Sequence, residues 1–260
     1  MILTLDLTSS FKKGRTYLKD FYFTTPFRIV NTGIDKTDPC LYLTIMNSSP
    51  GMLDADCYDI HILTESGSRL QLQSQSYQRL FNMKKGASQK MEITMKRNSC
   101  FSYVPHPVVP HQNSIFKAFN VIYLEDDCEF LLGEIITCGR KHSGEVFQYT
   151  HFQSKTEIFH HGKMILKDII LLQPKIVDPN TIGLAENYTH QATLLYQHTK
   201  SNPTEGLVDT LHDMLQSEDD ISLGISTVNN GFVLRILGNG GEQLFSCLQR
   251  VQRHLWDKGR

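Results

Sequence analysis

Short apolar runs separated by turn residues fill the first two thirds of the chain. Strands are predicted over 15–24, 41–46, 57–63, 69–75, 91–95, 101–104, 115–124, 130–138, 146–152, 155–159 and 164–172. Turn clusters such as Glu65-Ser66-Gly67-Ser68, Glu125-Asp126-Asp127 and His160-His161-Gly162-Lys163 separate them. Such spacing predicts a mainly β fold, an elongated body of layered or solenoid-like sheets. No strict repeat period marks a regular solenoid.

The rhythm changes after a connecting segment over 174–188. Thr204 is placed to cap a helix from Glu205 to about Gln216, with Leu207, Leu211 and Leu215 at helical spacing. Strands over 221–228 and 232–237 follow, joined by Asn229-Asn230-Gly231, a strong hairpin signal. A last helix is predicted from about Glu242 to Trp256, with Leu244, Leu248, Val251 and Leu255 on one side. The core of this helix–hairpin–helix unit is too small to stand alone. One domain over 1–260 is expected, a β-body over 1–174 with residues 189–260 packed on it.

Acids interrupt the apolar faces. Strand alternation puts Asp56 with Tyr58, Ile60 and Ile62; Glu134 with Leu132, Ile136 and Cys138; and Asp168 with Leu166, Ile170 and Leu172. Around Glu134 the opposite face, Leu131 and Ile135, is apolar too. A carboxylate on a buried face costs several kcal/mol unless it is paired, hydrogen-bonded or wet. Arg140 or Lys167 are available to pair with one of them. Three such acids also fit a hydrated internal passage that favours a divalent cation without holding it.

Charge and motifs narrow the function. Twenty-six Lys and Arg against 27 Asp and Glu leave a net charge of −1, no footprint for nucleic acid or an anionic membrane. No apolar run approaches the ~18 residues of a membrane span, and the N-terminus lacks the basic region of a secretory signal. Six cysteines without a C-x-x-C pair suggest free thiols and a cytoplasmic protein. A phosphate-binding loop, a G-x-S-x-G elbow and an H-E-x-x-H helix are all absent. A metal-dependent hydrolase would draw on His106 and His111, expected in an exposed proline loop, or on Cys57, Asp59 and His61, which share a strand face. A pure protein adaptor, with every acid satisfied by an ion pair, is a third reading.

Five phrases, in order, resemble the urease accessory protein family UreD, called UreH in some bacteria. Pro50-Gly51 to Asp56 resembles the family's P-G-G-x-x-x-G-D, and Leu72 to Asn82 its T-x-Q-x-x-x-K/R-x-Y/F strand end. Tyr103 to Pro110 is similar to L-P-x-P-x-I-P, Gly133 to Phe147 to G-E-x-x-x-x-G-R-x-x-x-G-E-x-F, and Met164 to Pro174 to L-x-D-x-x-x-L-x-P. The chain departs in having Ala55 for the glycine before the aspartate, and histidines at 106 and 111. The resemblance implies a non-enzymatic chaperone and scaffold with no permanent cofactor. Its implied partners are a helical UreF-like protein, a UreG-like GTPase and urease apoprotein, in a complex that can be a dimer of heteromers. The implied cargo is nickel, passing through the interior along Asp56, Glu134 and Asp168.

Overall fold

The computed structural model describes residues 2–35, 37–200 and 206–258; the expected Thr204 cap and Glu205 lie outside them. The chain opens with β1 (Ile2–Lys12) and β2 (Arg15–Phe23) in one sheet, then β3 (Phe27–Asn31) and β4 (Leu41–Asn47) in a second. From there each long strand changes sheet. β5 (Cys57–Thr64) joins the first and β6 (Arg69–Ser74) the second; after the short β7 (Gln78–Leu80), β8 (Ala87–Met95) and β9 (Cys100–Tyr103) do the same. After the short β10 (Val108–Pro110), β11 (Ile115–Leu124) and β12 (Glu129–Thr137) repeat the move. β13 (His151–His160) and β14 (Lys163–Leu172) then close the first sheet as a hairpin.

Strands β1, β5, β8, β11 and β13 pair in parallel, as do β4, β6, β9 and β12. Parallel neighbours need a long crossover, usually a helix. Here each crossover is a strand of the opposite sheet, so the winding is solenoid-like. Strand starts at Leu41, Arg69, Cys100 and Glu129 recur roughly every 30 residues, within the range of solenoid repeats. The period is legible only once alternate strands are assigned to different sheets.

The remainder extends the second sheet with β15 (His190–His198), β16 (Ser222–Val228) and β17 (Gly231–Gly238), and adds α1 (Leu207–Leu215) and α2 (Gly241–Lys258). Asn230 takes the left-handed φ of 56° that the hairpin requires. The result is three layers. Leu5, Ile60 and Ile93 of the first sheet meet Leu43, Leu72 and Leu132 of the second in the main core. The other face of the second sheet, with Leu131, Ile135, Leu194 and Leu234, packs on Leu211 of α1 and Leu244 and Leu248 of α2. β12 is buried on both faces because it stands between the two cores.

Two predicted strands, 146–152 and 155–159, are one strand beginning at His151. Residues 144–147 are spent on a turn instead, with left-handed Gly144 and Phe147, closed by an Arg140–Glu145 ion pair. The strand prediction also omits β1, β3, β7, β10 and β15. Among the described residues no helix is long and apolar enough to cross a membrane.

Candidate functional site: a polar cavity between the sheets

Alternation puts Glu134 on the face of β12 that looks toward the first sheet, and Asp168 on the face of β14 that looks back. Both line one cavity of about 60 Å³, together with Gln78, Gln89, Asn120, Thr156 and Thr193. Register explains why polar groups gather there. In the first sheet Asp168 pairs with Thr156, which pairs with Asn120; in the second Glu134 pairs with Thr193, which pairs with Arg235. A polar row therefore crosses each sheet at the same depth of the sandwich.

The row is connected but not fully satisfied. Arg235 forms an ion pair with Asp168 and donates to Thr193 Oγ1 at 2.9 Å. Asn120 Nδ2 donates to Thr156 Oγ1 at 3.0 Å, while its buried Oδ1 has no protein partner. Burial raises the Glu134 carboxyl from an ordinary 4.5 to about 7, opposed by a hydrogen bond from Ser154; the Asp168 charge raises it and that of Arg235 lowers it. Glu134 keeps a minor part of its surface exposed yet lies deep in the protein, because that surface faces the cavity it lines. Such a carboxyl exchanges its proton near neutrality and can accept a cation in its place.

A wider cleft of about 440 Å³ adjoins the cavity; both are lined by Gln78, Gln89, Tyr103, Pro105 and His106. Ser49, Pro50, Gly51 and residues 74–79 form its other walls, with Glu242 of α2, to which the Tyr77 hydroxyl donates. Side chains from all five phrases singled out in the sequence thus line one or both spaces. Gly51 is needed at its position, since a Cβ there would lie 2.4 Å from the Arg79 carbonyl oxygen.

Asp56 is placed apart from the other two acids. It lies in the turn before β5, where its Oδ2 accepts the Leu53 N–H at 2.8 Å, and it lines neither space. Its charge does reach Tyr58, a wall of the wide cleft, whose phenol is shifted upward mainly by burial and further by Asp56. Asp54 locks the same turn by accepting three backbone N–H groups, from Lys84, Lys85 and Gly86, at 2.8–3.1 Å. The expected pairing cations are engaged elsewhere, Arg140 with Glu145 and Lys167 with Glu157. Arg235 does that work for Asp168. It, Asn120 and Thr156 were missed although the same alternation rule finds them, each being a polar residue on an inward strand face.

The expectation of an exposed histidine loop is overturned. His111 is only 6% exposed, edge-on to Phe81, with Nε2 unpartnered. His106 stacks on Phe245 of α2 at 4.3 Å and exchanges a 3.0 Å hydrogen bond with Ser74 at the junction of the two spaces. Burial lowers the pKa of both imidazoles. His106 is covered by α2, which the chain supplies far downstream, and His111 by Phe81. Nor do the hydrolase ligands assemble. His61 meets Asp6 at 2.8 Å and Asp59 at 3.5 Å, without Cys57, and among the described residues neither set forms a group of three convergent donors.

Comparison with known proteins identifies the family of the chain. Residues 3–258 match the family described as UreD urease accessory protein. A urease accessory protein UreD from Flavobacterium johnsoniae is 55% identical over 257 residues, covering 98% of this chain and 93% of that one. Its counterpart in Acetivibrio thermocellus is 33% identical, covering 94% and 93%, and that of Actinobacillus pleuropneumoniae serotype 3 is 30% identical, covering 96% and 94%. The chain belongs to the UreD family of urease accessory proteins, and its role is in the maturation of urease rather than in catalysis.

Proposed function

We propose that this chain is a cytoplasmic chaperone and scaffold that passes nickel through its interior to urease apoprotein, in a complex with UreF-like and UreG-like partners. The observation that carries the reading is the pairing of Glu134 and Asp168 in one cavity that adjoins a wider polar cleft, walled by all five family phrases. Nickel is cargo here. Oxygen donors from carboxylates, amides and hydroxyls bind a divalent ion weakly enough to release it. Support for a reducing compartment comes from six free thiols, five of them buried. The sheet edges and exposed Phe21, Tyr22, Ile169 and Leu171 offer surface for a protein partner.

The test is nickel per urease active site after activation with Asp56→Ala, Glu134→Gln and Asp168→Asn, singly and combined, beside thermal melts and pull-downs. The passage predicts retained assembly with reduced loading, the Glu134 and Asp168 variants most affected. Normal loading by a folded combined variant rejects it. The Asp168–Arg235 ion pair favours a second reading, an adaptor in which the acid is structural; there folding and partner binding fail together.

A further inference from the structure

Three side chains at the turns after β11 and β13 take no part in the acidic cavity: Asp126, His160 and His161. Parallel pairing of these strands in the register Leu124↔His160 sets the two turns side by side. His160 ends β13, and His161 and Gly162, at φ 49° and 75°, make the tight turn into β14. His161 Nε2 lies 2.7 Å and His160 Nε2 3.2 Å from the same atom, Asp126 Oδ1. The ring centroids are 4.3 Å apart, and the three donor atoms lie within 4.8 Å of one another.

We propose that Asp126, His160 and His161 form a surface site for one divalent transition-metal ion of the Ni²⁺, Cu²⁺ or Zn²⁺ class. Two imidazoles and one carboxylate are a donor set that suits these ions and not Mg²⁺ or Ca²⁺. A metal about 2.0–2.2 Å from each donor sets neighbouring donors roughly 3.0–3.5 Å apart. The Asp126–His160 contact is already in that range, the Asp126–His161 contact reaches it by opening less than about 1 Å, and the two imidazole donors, within 4.8 Å of each other, come to the same spacing by ring rotation in an exposed turn. Each imidazole must present Nε2 as a lone pair and carry its proton on Nδ1, a tautomer open to rings that are 27% and 60% exposed. The competing account is a pair of surface contacts to a carboxylate, each contributing about 0–1 kcal/mol. Two neutral rings donating Nε2–H to one oxygen give the same contacts, and metal titration separates the two accounts.

Water would complete the coordination, so the ion is exchangeable. These residues line neither cavity, and the site binds metal whether or not nickel crosses the interior.

The test is calorimetric titration of the tag-free full chain with NiCl₂, with Cu²⁺ electron paramagnetic resonance to count coordinated nitrogens. The variants are His160→Gln, His161→Asn and Asp126→Asn, Asn being a residue that tolerates the left-handed turn. Losing a group that merely orients a ligand costs roughly 10–100-fold in metal affinity, so each variant is expected to weaken one equivalent at least tenfold. Its thermal melt without metal should match the parent. The Cu²⁺ spectrum of the parent should show two imidazole nitrogens, and Glu134→Gln/Asp168→Asn should keep this equivalent. An unchanged isotherm in the His160→Gln/His161→Asn double variant overturns the proposal, as does a parent spectrum without two nitrogens.

Discussion

Glu134→Gln tests the electrostatics of the cavity directly. Burial raises this carboxyl from 4.5 to about 7, which at 1.36 kcal/mol per pH unit corresponds to about 3 kcal/mol. Between those two values the native chain holds a proton that the unfolded chain has released. Stability therefore falls as pH rises through that window, and the full penalty is present above about 7. Glutamine has the same shape, cannot ionise and can still accept from Ser154. The variant is expected to match the parent near pH 4.5 and to exceed it at pH 8 by up to about 3 kcal/mol. Urea unfolding at several pH values measures the difference. A gap that does not change with pH, or a variant less stable than the parent at pH 8, refutes the reasoning. If Glu134 also binds cargo, loading should rise with pH as the parent carboxyl ionises, and the more stable variant should deliver less nickel.

Asp168→Asn strands Arg235, whose side chain is 41% exposed; the expected loss is about 1–3 kcal/mol, below the 3–5 of a fully buried pair. Adding Arg235→Met should recover part of it in chemical unfolding. Ala55 holds a left-handed φ of 67°; Ala55→Gly is expected to stabilise by about 1 kcal/mol in a thermal melt, strain relief exceeding the entropy cost. His111 is buried with an unpartnered Nε2, so His111→Phe should be neutral or stabilising. His111→Ala should cost about 2–3 kcal/mol through the cavity it leaves, both read as shifts in denaturation midpoint.

Much of this protein is local in origin. Two-residue alternation identifies most of the long strands, the Asn-Gly turn the C-terminal hairpin, and three-to-four-residue spacing the last helix, because side-chain direction follows from backbone geometry alone. The same rule identifies Glu134 and Asp168 as acids on inward faces, since a carboxylate among leucines and isoleucines is a conflict visible in sequence. What occupies the opposite side of that face is a separate matter. That each crossover is a strand of the other sheet, that Arg235 answers Asp168 from 67 residues away, and that α2 covers His106 are results of long-range pairing. The turn at residues 144–147 displaced a predicted strand because the Arg140–Glu145 pair and two left-handed residues outweigh the propensity of Val146 and Phe147. Burial of the histidine loop, like the meeting of Asp126 with His160 and His161, depends on which strands become neighbours. Tertiary packing decided that, because the free energy of burying both sheet faces belongs to the whole chain and to no single segment of it.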